Sequence, residues 1–121
     1  MVEHRTGTVA VVDDDPAVRD SLKFLLEVMG CTVATYVSAL AFLDDRVASP
    51  ACMIVDQHMP LMTGLDLAQR LRDQGGHIPV LLITGSPSPA IVARAGFLGV
   101  EAVLEKPPEE ADLLRFVNAH T

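Results

Sequence analysis

Aromatic side chains are scarce in this chain: 121 residues hold no tryptophan, one tyrosine and four phenylalanines. Leu, Val, Ile and Ala must therefore fill the core, and a composition that is 50% apolar supplies them. Basic residues are also few. Nine stand against sixteen acidic ones, for a net charge of −7. That balance excludes the basic footprint of a nucleic-acid or anionic-lipid binder and suits a protein that binds cations or basic protein surfaces. Only two cysteines are present, Cys31 and Cys52, in no paired metal spacing. Each adjoins a predicted strand, so they read as small buried apolar residues and not as a disulfide. No apolar stretch is long enough to span a bilayer, and the N-terminus is short and polar. A membrane partner is not expected, and a cytoplasmic setting is the default. Low-complexity segments, long linkers and internal repeats are missing too, so residues 1–121 are expected to form one domain, structured over about 8–120.

What the chain does have is a set of short apolar runs that break at reactive side chains. Val9–Val12 ends in Asp13-Asp14-Asp15-Pro16. Met53–Val55 ends in Asp56, Val80–Ile83 ends in Thr84-Gly85-Ser86, and Ala102–Leu104 leads through Glu105 into Lys106-Pro107. Runs of this length bounded by Pro and Gly read as buried parallel strands. In an open α/β sheet, ligands bind beyond the carboxyl ends of the strands. One edge of one sheet thus receives an acidic pair, a lone acid, a hydroxyl and a lysine. Clustered carboxylates imply a hard divalent cation. A lysine and a hydroxyl beside such a cation imply a phosphoryl group.

Between these runs the helical signals alternate with the strand signals. Asp15-Pro16 starts a helix over residues 17–29, with Val18, Leu22, Leu25, Leu26 and Met29 at helical spacing and Gly30 as its stop. A β-branched stretch over 32–37 reads as the second strand, and Ser38 caps a short helix to about residue 45. Further helices are expected over 65–73, 90–97 and 109–119, and strands over 51–56, 78–84 and 101–105. Five strands and five helices in strict alternation predict a parallel sheet with helices on both faces.

These motifs, in this order and with these flanking runs, resemble the receiver domain of two-component response regulators over essentially the whole chain. The resemblance implies a flavodoxin-like (βα)5 fold with strand order 2-1-3-4-5. It also implies that Asp56 accepts a phosphoryl group from a histidine kinase or phosphotransfer protein, with Mg²⁺ as cofactor. Asp14 and Asp56 would hold the ion directly, Asp13 would act through a metal-bound water, and the His58 main-chain carbonyl would complete the protein ligands. The His58 side chain is expected to be an exposed loop group at the mouth of the site. Thr84, the Gly85 amide and Lys106 would contact the phosphoryl oxygens, and Pro107 is expected to follow a cis bond that aims the lysine inward. Asp15 is expected to cap the first helix. Phosphorylation would act on an output face built from the fourth helix, fifth strand and last helix, which is also where a homodimer would form. Ala41-Phe42-Leu43 and Ile83-Thr84-Gly85 are similar to receivers that precede a helix-turn-helix output domain. The receiver itself is not expected to touch nucleic acid.

The chain departs from the family pattern on that output face. Val103 stands three residues before the lysine, where many receivers carry an aromatic switch residue. Pro108 follows Pro107, and Pro87 and Pro89 stiffen the loop after Thr84. Two other readings compete. A haloacid-dehalogenase-type phosphatase also uses a strand-end aspartate and Mg²⁺, but normally needs a second acid where His58 stands. A degenerate receiver would act only as a docking module, which the intact Asp14, Asp56, Thr84 and Lys106 argue against. The domain is expected to be an acceptor and not a turnover enzyme. The end of the chain at 119–121 suits a stand-alone receiver or part of a longer regulator.

Overall fold

The computed structural model describes residues 6–46 and 48–121. Strands β1 (Thr8–Val12), β2 (Thr32–Tyr36), β3 (Cys52–Asp56), β4 (Val80–Thr84) and β5 (Ala102–Glu105) alternate with helices α1 (Pro16–Val28), α2 (Ala39–Asp44), α3 (Gly64–Asp73), α4 (Pro89–Phe97) and α5 (Glu110–His120). All strand pairs are parallel, in the order β2-β1-β3-β4-β5, as predicted. No helix among the described residues is long and apolar enough to cross a membrane.

The sheet separates two apolar layers by simple alternation. Val9, Val11, Cys52, Ile54, Leu81 and Ile83 face α1 and α5, where Leu22, Leu26, Leu113, Phe116 and Val117 meet them. Ala10, Val12, Met53, Val55, Val80 and Leu82 face α2, α3 and α4, meeting Phe42, Leu65, Leu67, Leu71, Ala95 and Leu98. Leu, Val and Ile do most of the filling, as the lack of aromatics requires. Cys31 and Cys52 are both buried, and burial pushes the Cys52 thiol up to about 12.

Local chemistry sets the helix starts. Asp15 accepts the Ala17 N–H, with Pro16 in the first turn of α1. Ser38 accepts the Ala41 N–H, and Thr63 and Asp66 form a reciprocal capping box on α3. Most element ends differ from expectation by one or two residues, and one of these differences moves a proline into a helix. Ser88 caps α4 and Pro89 is its first residue, where a proline ring fits without loss of a bonded N–H. Of the two prolines after Thr84, only Pro87 therefore lies in the connecting loop.

Candidate functional site

Alternation explains which side chains can meet. Asp56 shares the parity of Cys52 and Ile54, Asp13 that of Val9 and Val11, and Lys106 that of Ala102 and Leu104. All three point toward the α1/α5 side at the carboxyl end of the sheet. Lys106 Nζ lies 3.1 Å from Asp56 Oδ1 and 3.2 Å from Asp13 Oδ2, bridging the two acids. The Lys106–Pro107 bond is cis, as expected.

Asp13 and Asp56 are buried, whereas Asp14 is exposed at the mouth. Asp13 is held on every side: its Oδ1 accepts the Asp15 N–H at 2.9 Å, and Arg19 donates to its main-chain carbonyl at 2.8 Å. Burial is the main reason its carboxyl sits above the usual range, and the Asp56 charge adds to it; the Asp15 amide and Lys106 pull the other way. Burial alone would lower Lys106, but its hydrogen bond to Asp56 and the charge of Asp13 hold it above the ordinary lysine value. The two partners shift in senses that favour charge on one and disfavour it on the other. The difference follows from burial, since Asp13 is fully enclosed and the lysine side chain keeps 25% of its exposure. The ammonium is charged at neutral pH, and ionising Asp13 is the costly part of the pair.

Carboxylate oxygens of Asp13, Asp14 and Asp56 lie within 4.8 Å of one another. Three hard oxygen donors around one point, two of them buried, fit a small hard dication that keeps several waters. Without a cation, one lysine faces two buried acids, so the cluster carries excess negative charge.

Thr84 is fully buried at the end of β4. Its Oγ1 accepts the Ser86 N–H at 3.1 Å and lies 2.9 Å from His58 Nε2. The His58 residue is exposed, as expected, but its ring is engaged, which the sequence reading missed. Gly85 is exposed, and a Cβ built there meets nothing within 4 Å, so its position does not demand glycine. Gly64 does. A Cβ there would sit 2.6 Å from the Asp56 carbonyl oxygen and 2.7 Å from Leu82 Cδ1. Gln57 was missed as well: its buried Oε1 accepts the Leu65 N–H at 2.9 Å and ties the loop after Asp56 to the start of α3. A glutamine beside an aspartate gives no signal of its own in the sequence.

The family model for the response regulator receiver domain matches residues 9–118. The chain belongs to the response regulator receiver family. Among curated proteins, this receiver is 41% identical over 112 residues to the transcriptional regulatory protein FixJ of Azorhizobium caulinodans, covering 92% of this chain and 53% of the relative. It is 38% identical over 123 residues to the transcriptional regulatory protein TdiR of Thauera aromatica, covering 98% and 54%. The chain thus spans about half the length of the curated relatives it matches. Among solved structures, FixJ-N superposes with a TM-score of 0.85 at 32% identity, covering 94% of this chain and 92% of that one. The response regulator StyR gives 0.85 at 36% identity, covering 93% and 58%. None of these supports the phosphatase or docking-module alternatives.

Proposed function

We propose that this receiver accepts a phosphoryl group on Asp56 from a phosphohistidine of a histidine kinase or phosphotransfer protein, and so controls an output in a two-component pathway. The observation that carries the reading is the Lys106 bridge, which places one charged ammonium within 3.2 Å of both Asp13 and Asp56 at the end of the sheet. An Asp56 carboxylate oxygen attacks phosphorus, the P–O bond forms and the P–N bond breaks. The bonding pair stays with the imidazole of the donor, which takes up a proton. Asp14, Asp56 and the His58 main-chain carbonyl would hold Mg²⁺, with Asp13 acting through a bound water. The ion, when bound, neutralises charge on the incoming phosphoryl group. Lys106 pairs with the phosphoryl oxygens as a point charge, and the Thr84 hydroxyl and Gly85 amide donate to them.

Asp56 acts here as an acceptor that is slowly emptied by water, not as the nucleophile of a turnover enzyme. The relatives named as transcriptional regulators support a transcriptional output. With a net charge of −7, contact with DNA falls to another segment or protein. The face formed by α4, β5 and α5 serves as output surface and as a homodimer contact. The test is direct. A small phosphodonor with Mg²⁺ should add one phosphoryl mass to the parent and none to Asp56→Asn. Equal labelling of the variant would overturn the assignment. Mg²⁺ should also raise the Tm at neutral pH, because a ligand of the folded state stabilises it. Asp14→Ala should lose most of that rise.

A further inference from the structure

The Thr84 hydroxyl offers one proton and two lone pairs. The Ser86 N–H occupies one lone pair. A buried hydroxyl proton left without an acceptor is costly, and among the described residues the group that faces it is His58 Nε2, at 2.9 Å. The network therefore assigns the neutral Nδ1–H tautomer to His58, with the Nε2 lone pair receiving the Thr84 proton. His58 belongs to the loop that follows Asp56, and Thr84 ends the neighbouring strand. Gln57 and Gly64 fix that loop from the other side. The ring is thus presented to Thr84 by a loop anchored beside the acceptor.

We propose that His58 is a positioning residue that competes with a phosphoryl group on Asp56 for the single hydroxyl proton of Thr84, and so holds the receiver in its unphosphorylated arrangement. The inference rests on the reading of Asp56 as acceptor. A hydroxyl that donates to a phosphoryl oxygen must first release the imidazole. The domain then gives up one neutral hydrogen bond each time it switches. By alternation Thr84 also starts on the α3/α4 side of the sheet, opposite in parity to Asp56 and Lys106, so its release is coupled to movement of the segment that leads into α4.

The test uses beryllofluoride with Mg²⁺, titrated by NMR into the parent, His58→Leu, His58→Gln, Thr84→Val and the His58→Leu/Thr84→Val double variant. His58→Leu should half-saturate at a concentration about two- to tenfold lower than the parent, the range of one neutral hydrogen bond. His58→Gln, whose amide oxygen can take the same proton, should stay near the parent. In the Thr84→Val background the histidine substitution should change nothing. Binding by His58→Leu no tighter than the parent, or an equal gain with Thr84→Val present, would overturn the proposal. A parent that does not bind the mimic would overturn the acceptor reading and this one together. Should His58→Leu not fold, the imidazole ¹⁵N spectrum of the parent decides: the unprotonated Nε2 signal should move when the mimic binds, and an unmoved signal rules the competition out.

Discussion

Strands β4 and β5 lie side by side, and each delivers one side chain to the site, yet they are built differently. Every residue of β4 is buried, and the strand is paired on both edges. β5 is one residue shorter, sits at the sheet edge and is only half-buried, with Glu105 exposed. A short, charged edge strand resists pairing with other chains. Thr84, from β4, is held by hydrogen bonds inside the protein. Lys106, just past β5, is held by the two charges it faces. The interior strand therefore supplies a hydroxyl whose neutral hydrogen bonds must be exchanged, and the edge strand supplies a charge that adapts to what occupies the site.

The strongest way to break that contrast is to cut the core of β4. Leu82 is fully buried on the α3/α4 side. Leu82→Ala should cost about 2–5 kcal/mol in urea unfolding, from lost burial and the cavity left behind. A cost near that of an exposed site would show that β4 is not the rigid partner. Gly64→Ala should come next. The added methyl would press on the Asp56 carbonyl and on Leu82, an overpacking that costs about 1–3 kcal/mol. Because the strained carbonyl belongs to the acceptor itself, the Mg²⁺-induced rise in Tm should shrink as well. Full retention of that rise would separate the packing of Gly64 from the site.

The Lys106 bridge predicts an alkaline signature. Its folded pKa is raised above the ordinary 10.5, after burial has pulled it down, by Asp56 and Asp13. Stability from such a group is complete below the unfolded pKa and is lost as pH rises through the folded one. Tyr36, pushed up to about 12 by burial and its hydrogen bond to Asp45, loses stability in the same range. The readout is therefore a difference. Above pH 10.5 the parent should lose stability more steeply than Lys106→Met, and parallel curves would mean the bridge contributes nothing to folding.

Most of this architecture was legible because alternation and apolar-run length are physical consequences of a buried parallel sheet. The runs ending at Val12, Val55, Ile83 and Leu104 mark four of its five strands, and the residues after them mark its functional edge. The Asp15 cap could be read the same way, since Asp-Pro before a helical pattern has few other uses. Close approaches in space were not legible. Gly64 is required by a carbonyl and a leucine that belong to two other strands. The His58–Thr84 contact spans 26 residues and depends on a loop conformation set by Gln57. Pro89 was placed in the wrong element because a proline before a helical run fits a loop or a first turn equally well, and only the Ser88 cap decides.

The smallest effect belongs to Val103. It pairs in register with Leu82 and faces the same layer, but it is only partly buried against it. Val103→Ala should cost about 1 kcal/mol or less, well under its neighbour, because solvent already reaches part of the site. Its effect on switching should be small too. A valine has no ring to swing into space vacated by Thr84, so little surface changes hands at β5. The response to phosphorylation then concentrates in residues 85–90, where Pro87 limits the excursion and Pro89 moves with α4. Amide chemical shifts with and without beryllofluoride should show the larger changes over 85–90 and a muted one at Val103, with Val103→Ala leaving that pattern intact. Large shifts centred on Val103 with 85–90 unmoved would overturn this account of the switch.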